Sequence, residues 1–119
     1  LLSLLFGLDH GTYVALMPKS VTTAIGLPIA NMFGGIESLS VAAIVLSGIL
    51  GNIFAAPFCK IFKITIPTAK GVAIGTASHA IGTTKALEMG DVEGAMSSLS
   101  LIVAGILTVC LSPLFANLI

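Results

Sequence analysis

No residue from Ser38 to Cys59 carries a charge, and none does from Ala95 to Ile119. About 20 predominantly apolar residues cross the hydrocarbon core of a bilayer as one helix. Each stretch is long enough to do so, and in lipid a lone segment can satisfy its own backbone only as a helix. The rest of the chain offers no polar surface to set against them. Only 8% of the residues are charged and the mean hydropathy is +1.13, whereas a soluble domain carries roughly 25% charged residues. We therefore expect an all-α polytopic membrane protein, with residues 1–119 as a single membrane domain.

Charge excludes some functions. Five basic and five acidic side chains give a net charge of zero. They form no basic patch, so nucleic acid is not an expected partner. Cys59 and Cys110 lack metal-type spacing and read as inert thiols. His10 and His79 are too isolated for a metal site. The chain has no phosphate loop and no nucleophile–base spacing, so neither an enzyme nor a bound cofactor is expected. Leu1 to Leu8 reads as the end of an apolar helix stopped near Gly7. It lacks the basic start of a signal peptide, and the chain is expected to be a fragment of a longer protein.

The segments outside the two uncharged stretches are apolar but interrupted. Asp9 can cap a short helix over Gly11 to Met17. Pro18 then removes a backbone donor and disfavours helix at Met17. Lys19, Thr22, Thr23 and Gly26 follow at helical spacing, Pro28 promises a second kink, and Gly34-Gly35 ends the segment. Such a stretch fits a discontinuous or re-entrant helix; the bland alternative is a solvent loop. Ser47, Gly51 and Ala55 make a small-residue seam on the next span, which Pro57 is expected to end. Lys60, Lys63 and Lys70 cluster after it and mark the cytoplasmic side by the positive-inside rule.

Pro67 opens the next helix at its favoured first position, and that helix should run to about Met89. Thr76, His79 and Thr83 share one face, while Gly71, Gly75, Ser78 and Gly82 form a small stripe beside it. The polar face suggests a wet pathway or binding role. The alternative is a helix contact with the His satisfied by a backbone carbonyl. Asp91 can cap the final span, Ser97, Ala104 and Thr108 give it a small face, and Pro113 kinks its end.

A weak internal repeat connects the two halves. Ser20-Val-Thr-Thr-Ala-Ile-Gly26 lies over Thr76-Ala-Ser-His-Ala-Ile-Gly82, and Gly34, Glu37 and Pro57 over Gly90, Glu93 and Pro113. The repeat units are 9–58 and 65–114. Basic residues at one side, with Glu37, Asp91 and Glu93 at the other, would make the copies parallel, with four membrane segments in all.

The donors of the chain suit an anion. Lys19, His79, Lys85 and many hydroxyls stand against no mid-span carboxylate, which a cation pathway would more often show. We take Lys19, Ser20, Thr22, Thr23, Asn31, Ser78, His79, Thr83 and Thr84 as candidate substrate-binding residues. Burial lowers a His pKa and a nearby carboxylate raises it. An anion bound beside His79 would therefore link binding to pH.

Met17-Pro-Lys-Ser-Val-Thr-Thr-Ala-Ile25, Gly34-Gly-Ile36, Lys70-Gly-Val-Ala-Ile-Gly-Thr-Ala-Ser-His-Ala-Ile-Gly-Thr84 and Glu93-Gly-Ala-Met-Ser-Ser-Leu99 resemble the LrgB/CidB family. The likeness covers nearly the whole chain and places it as the back half of a family member. Ala24-Ile-Gly26 departs from the family's usual Pro then Ile-Ala, with Pro28 expected to take over that kink. The resemblance implies one of two roles. Bacterial members are holin- or antiholin-like modulators of murein hydrolases and autolysis, paired with a small LrgA/CidA-like membrane protein. Similar proteins carry small monocarboxylates: pyruvate in bacteria, glycolate and glycerate in the plastid envelope. The donors favour a carrier, with a holin- or antiholin-like regulator as the alternative. Partners are then the bilayer, a small carboxylate, the LrgA-like protein and further copies of the chain, in the bacterial inner membrane or a plastid envelope.

Overall fold

The computed structural model describes residues 2–118. They form α1 Leu2–Leu5, α2 His10–Leu16, α3 Thr23–Met32, α4 Glu37–Ile61, α5 Pro67–Met89 and α6 Asp91–Ala116. Local chemistry sets most boundaries. Gly7 turns the chain after α1 at φ +60°. Asp9 caps α2 by accepting from Thr12 N at 3.1 Å. Gly34 ends α3 at φ +79°, a conformation that costs glycine nothing. Pro67 starts α5 at its first turn.

Helices α4 and α6 are long and apolar enough to cross a membrane. With 25 residues, α4 extends about 37 Å. The other segments fold back on themselves. In the first hairpin, α2 and α3, the ends meet: His10 Nε2 donates to Phe33 O at 3.0 Å and Ile36 N to Gly11 O at 3.2 Å. Its tip is the turn at Pro18–Val21, closed by Val21 N on Pro18 O at 3.2 Å.

The second hairpin is α5 alone. His79 sits at φ 42°, ψ −139°, outside the helical region, and the chain reverses there. A straight helix would put Pro67 and Met89 about 33 Å apart. Instead Ile74 and Ala86, on opposite sides of the break, share one core cluster with Ala55 and Met89. Both halves also meet the same α6 residue. Gly75 lies against Ser97 O, so close that a Cβ would collide with it, and Thr83 Oγ1 bonds Ser97 Oγ at 2.8 Å.

The interrupted segments are hairpins, the re-entrant form of the expectation, and two helices of crossing length, α4 and α6, stand beside them. Two expectations are corrected here. The direction of the second half is reversed. Lys70 Nζ lies 3.9 Å from Glu93 Oε1, so the start of α6 adjoins the lysine cluster at the end of α4. At the opposite end, Tyr13 Oη donates to Phe115 O at 2.7 Å, close to where α2 meets the start of α4. Thus α4 and α6 run antiparallel, and the parallel arrangement fails because it took Pro67–Met89 as a full crossing. Finally, Pro57 does not end α4, which runs on to Ile61, and Pro28 and Pro113 likewise lie inside helices. A proline costs one backbone bond and a local clash, and here only Pro18 coincides with a break.

Candidate functional site at the hairpin tips

The two tips meet on the middle of α4. Ser47 Oγ lies 2.7 Å from Lys19 O in the first tip and 2.9 Å from Ile44 O. Ile44 O also accepts from His79 Nε2 at 2.9 Å, which requires the ring proton on Nε2. One turn of α4 therefore holds both tips: Ser47 reaches the first and the Ile44 carbonyl holds the second. Gly48 leaves room for the imidazole edge, since a Cβ there would approach His79 Cε1 to 2.8 Å. Gly51 does the same for Ser78, against whose side chain a Cβ would collide.

The second tip is buried and densely bonded. Thr83 Oγ1 donates to His79 O at 2.8 Å, so Ser97 is the donor in the Thr83–Ser97 pair. Asn52 Nδ2 reaches Ile81 O and Thr84 Oγ1, each at 2.8 Å. These bonds pair buried hydroxyls and an amide, and leaving such a group unpaired in an apolar interior costs about 1–3 kcal/mol. The first tip is more open. Lys19 is exposed and its Nζ donates to Ser20 Oγ at 3.0 Å. Thr22 takes the cap position of α3 without a side-chain cap bond, and its carbonyl accepts from Ile25 N and Gly26 N. Each tip brings one helix C-terminus and one helix N-terminus to the middle of the fold, where the N-terminal ends favour negative charge.

Sequence-derived candidates fall into three places. Lys19, Ser20, Thr22 and Thr23 gather at the first tip. Ser78, His79, Thr83 and Thr84 gather at the second. Asn31 lies away from both, about 12 Å along α3 from Thr23, near the open end of its hairpin. The predicted common face of Thr76, His79 and Thr83 does not form. Helical spacing holds only along an unbroken helix, and Thr76 is exposed and bonded within its own turn, to Val72 O at 2.7 Å. The small stripe Gly71, Gly75, Ser78 and Gly82 is buried throughout. Lys19 likewise shares no helix with Thr22, Thr23 and Gly26. The His79–Ile44 bond has the geometry of the packing alternative, in which a backbone carbonyl satisfies the ring.

Asn52 was not singled out from sequence, although an amide inside an uncharged span was the available signal. Both cysteines are free, and no group of three or more His, Cys, Asp or Glu among the described residues could hold a metal ion.

A model of the LrgB-like family matches residues 1–118. The chain is 38% identical over 112 residues to an antiholin-like protein LrgB of Bacillus subtilis (strain 168), covering 94% of this chain and 48% of that one. It is 40% identical over 109 residues to proteins of the same name from Bacillus mycoides (strain KBAB4) and Bacillus cereus (strain B4264), covering 92% of this chain and 47% of each. The chain thus spans about half the length of the curated relatives it matches. No solved structure matches it significantly.

Proposed function

The chain belongs to the LrgB-like family, and from that premise we propose that it serves in an antiholin-like membrane protein that regulates murein hydrolase activity and autolysis. The supporting observation is the family match along nearly the whole chain, together with two helices able to cross a membrane. The test is a deletion of the full-length gene in its host. Autolysis rates and cell-wall hydrolase activity should change, and the full-length protein should restore them. Unchanged autolysis in the deletion strain would sink this reading.

A second reading, a carrier for small monocarboxylates of the pyruvate, glycolate or glycerate class, is favoured by the two tips. In this reading the hairpins are re-entrant from opposite faces of a multi-pass protein of the bacterial inner membrane. Opposed broken helices meeting near the midplane are a recurrent substrate-site architecture. Lys19 would supply charge, and Ser20, Thr22, Thr23, Ser78, Thr83 and Thr84 hydrogen bonds. His79 would keep its Nε2 proton on Ile44 O and take up a second proton on Nδ1 when an anion binds. An LrgA/CidA-like protein is the expected partner, and self-association is expected. Uptake into vesicles carrying the full-length protein, with and without that partner, tests it. Uptake should saturate, Lys19→Gln should abolish it, and His79→Gln should flatten its pH dependence between about 5.5 and 7.5. Size-tolerant leakage that rises steeply with protein density would instead favour the holin-like class.

A further inference from the structure

We infer that the open end of the second hairpin is a binding site for an anionic membrane lipid. Three lysines from three parts of the chain converge there on one cavity of about 740 Å³. Lys60 comes from the last turn of α4, Lys63 from the turn after it and Lys70 from the first turns of α5. No carboxylate lines the cavity. Glu93, 3.9 Å from Lys70, offsets one of the three charges, and Glu88 on the same hairpin is engaged by Lys85 at 2.7 Å. Asp91, at the start of α6 two residues beyond the Met89 that lines the cavity, offsets a second, and the mouth keeps a single net positive charge where a span ends, at the depth of lipid headgroups.

The backbone adds to this. Lys63 stands at φ 53°, in the position after a helix that glycine usually takes. Ile64 N returns to Cys59 O at 2.8 Å and fixes the turn. Lysine is there at a conformational cost that glycine would avoid.

A second cavity, of about 450 Å³, continues from the first, since Cys59 and Ile64 line both. Its walls are Leu50, Phe54 and Phe58 of α4, facing Ala73 and Ala77 of α5. From Cys59 to Leu50 the trough follows α4 for about 14 Å, into the span. A soluble anion could use the lysines but not the trough. A neutral lipid could use the trough but gains little from the lysines. Anionic lipids near a basic juxtamembrane cluster gain on the order of fivefold in affinity per lysine. A phosphate headgroup at the lysines with an acyl chain against Phe54 and Phe58 fits both parts. Lipid capture here is independent of either proposed activity.

The test is native mass spectrometry of the full-length protein with phosphatidylglycerol or phosphatidylcholine of equal chain length. The wild type should retain phosphatidylglycerol on the order of tenfold better. Lys60→Gln with Lys63→Gln should remove the preference, and Lys60→Arg with Lys63→Arg should keep it. Ala73→Trp should fill the trough and lower retention of both lipids. Soluble glycerol 3-phosphate should fail to displace bound phosphatidylglycerol. Equal retention of both lipids by the wild type would overturn the inference, because the lysines would then add no headgroup selectivity. Displacement by glycerol 3-phosphate would overturn it in favour of a small-anion site, and that arm needs no variant to fold.

Discussion

The two hairpins reach the same place on α4 by different means. The first is broken by covalent chemistry. Pro18 lacks a backbone donor and its ring disfavours helix before it, so a local bias toward leaving α2 is written into the chain, although Pro28, Pro57 and Pro113 stay inside helices. The second is broken at one residue, with no proline nearer than Pro67. His79 has no local reason to leave the helical region. It is held out of it by Ile44 O and by the closeness of Gly51 to Ser78. The break at Pro18 therefore has a cause within its own segment, whereas the His79 break depends on α4 and α6.

The largest test of this contrast is all-or-none. If the hairpins open to opposite faces, single cysteines at Lys63 and Glu93 should label from one side of the membrane and one at Glu37 from the other. Labelling of Lys63 and Glu93 from opposite sides would restore a crossing α5 and break the comparison.

A graded test concerns Gly51 and Ser78. Gly51→Ala should destabilise the full-length protein by about 2 kcal/mol, the usual cost of overpacking. Adding Ser78→Gly removes the colliding atoms and should recover about half of it, a coupling typical of residues in contact. Thermal unfolding in detergent reads both. Additive losses would mean that the second tip does not pack against α4.

His79 allows a finer test. In a helix interior alanine is about 1 kcal/mol better than glycine. At a positive φ the order reverses, because only glycine adopts it freely. Both His79→Ala and His79→Gly lose the bond to Ile44 O. The glycine variant should nevertheless be the more stable by about 1 kcal/mol. Alanine the more stable of the two would mean that α5 is continuous in the protein.

The smallest effect is at the entrance of the first hairpin. The hydrogen bond from the Thr12 hydroxyl, aided by its amide, holds the Asp9 carboxyl below its ordinary pKa of 3.8. A depressed pKa contributes stability that is present above the unfolded value and lost as pH falls through the folded one. Asp9→Asn should therefore leave the pH dependence of unfolding unchanged between about 6 and 8 and reduce it only in the acid range below the ordinary carboxylate value. A difference that appears near neutrality would assign the effect to another group.

Much of the fold was legible in the residues. The uncharged stretches Ser38–Cys59 and Ala95–Ile119 announced α4 and α6, because bilayer thickness sets a length that composition alone can meet. Asp9, Pro18, Gly34 and Pro67 mark boundaries through constraints that act within a few residues. The buried stripe Gly71, Gly75, Ser78 and Gly82 was visible because small residues recur where helices approach closely. Half of the candidate site was legible in the same way: Lys19 and its hydroxyl neighbours follow directly from the break at Pro18.

What only the tertiary structure decided was the break at His79 and everything that follows from it: the return of α5, the antiparallel run of α4 and α6, and the salt bridge from Lys70 to Glu93. Helical spacing placed Thr76, His79 and Thr83 on one face because spacing presumes an unbroken helix. The groups that break it lie 35 residues away at Ile44 and 14 residues on from Thr83 at Ser97. A constraint carried by a proline ring is present in the unfolded chain. One carried by a carbonyl on another helix exists only once the helices have met.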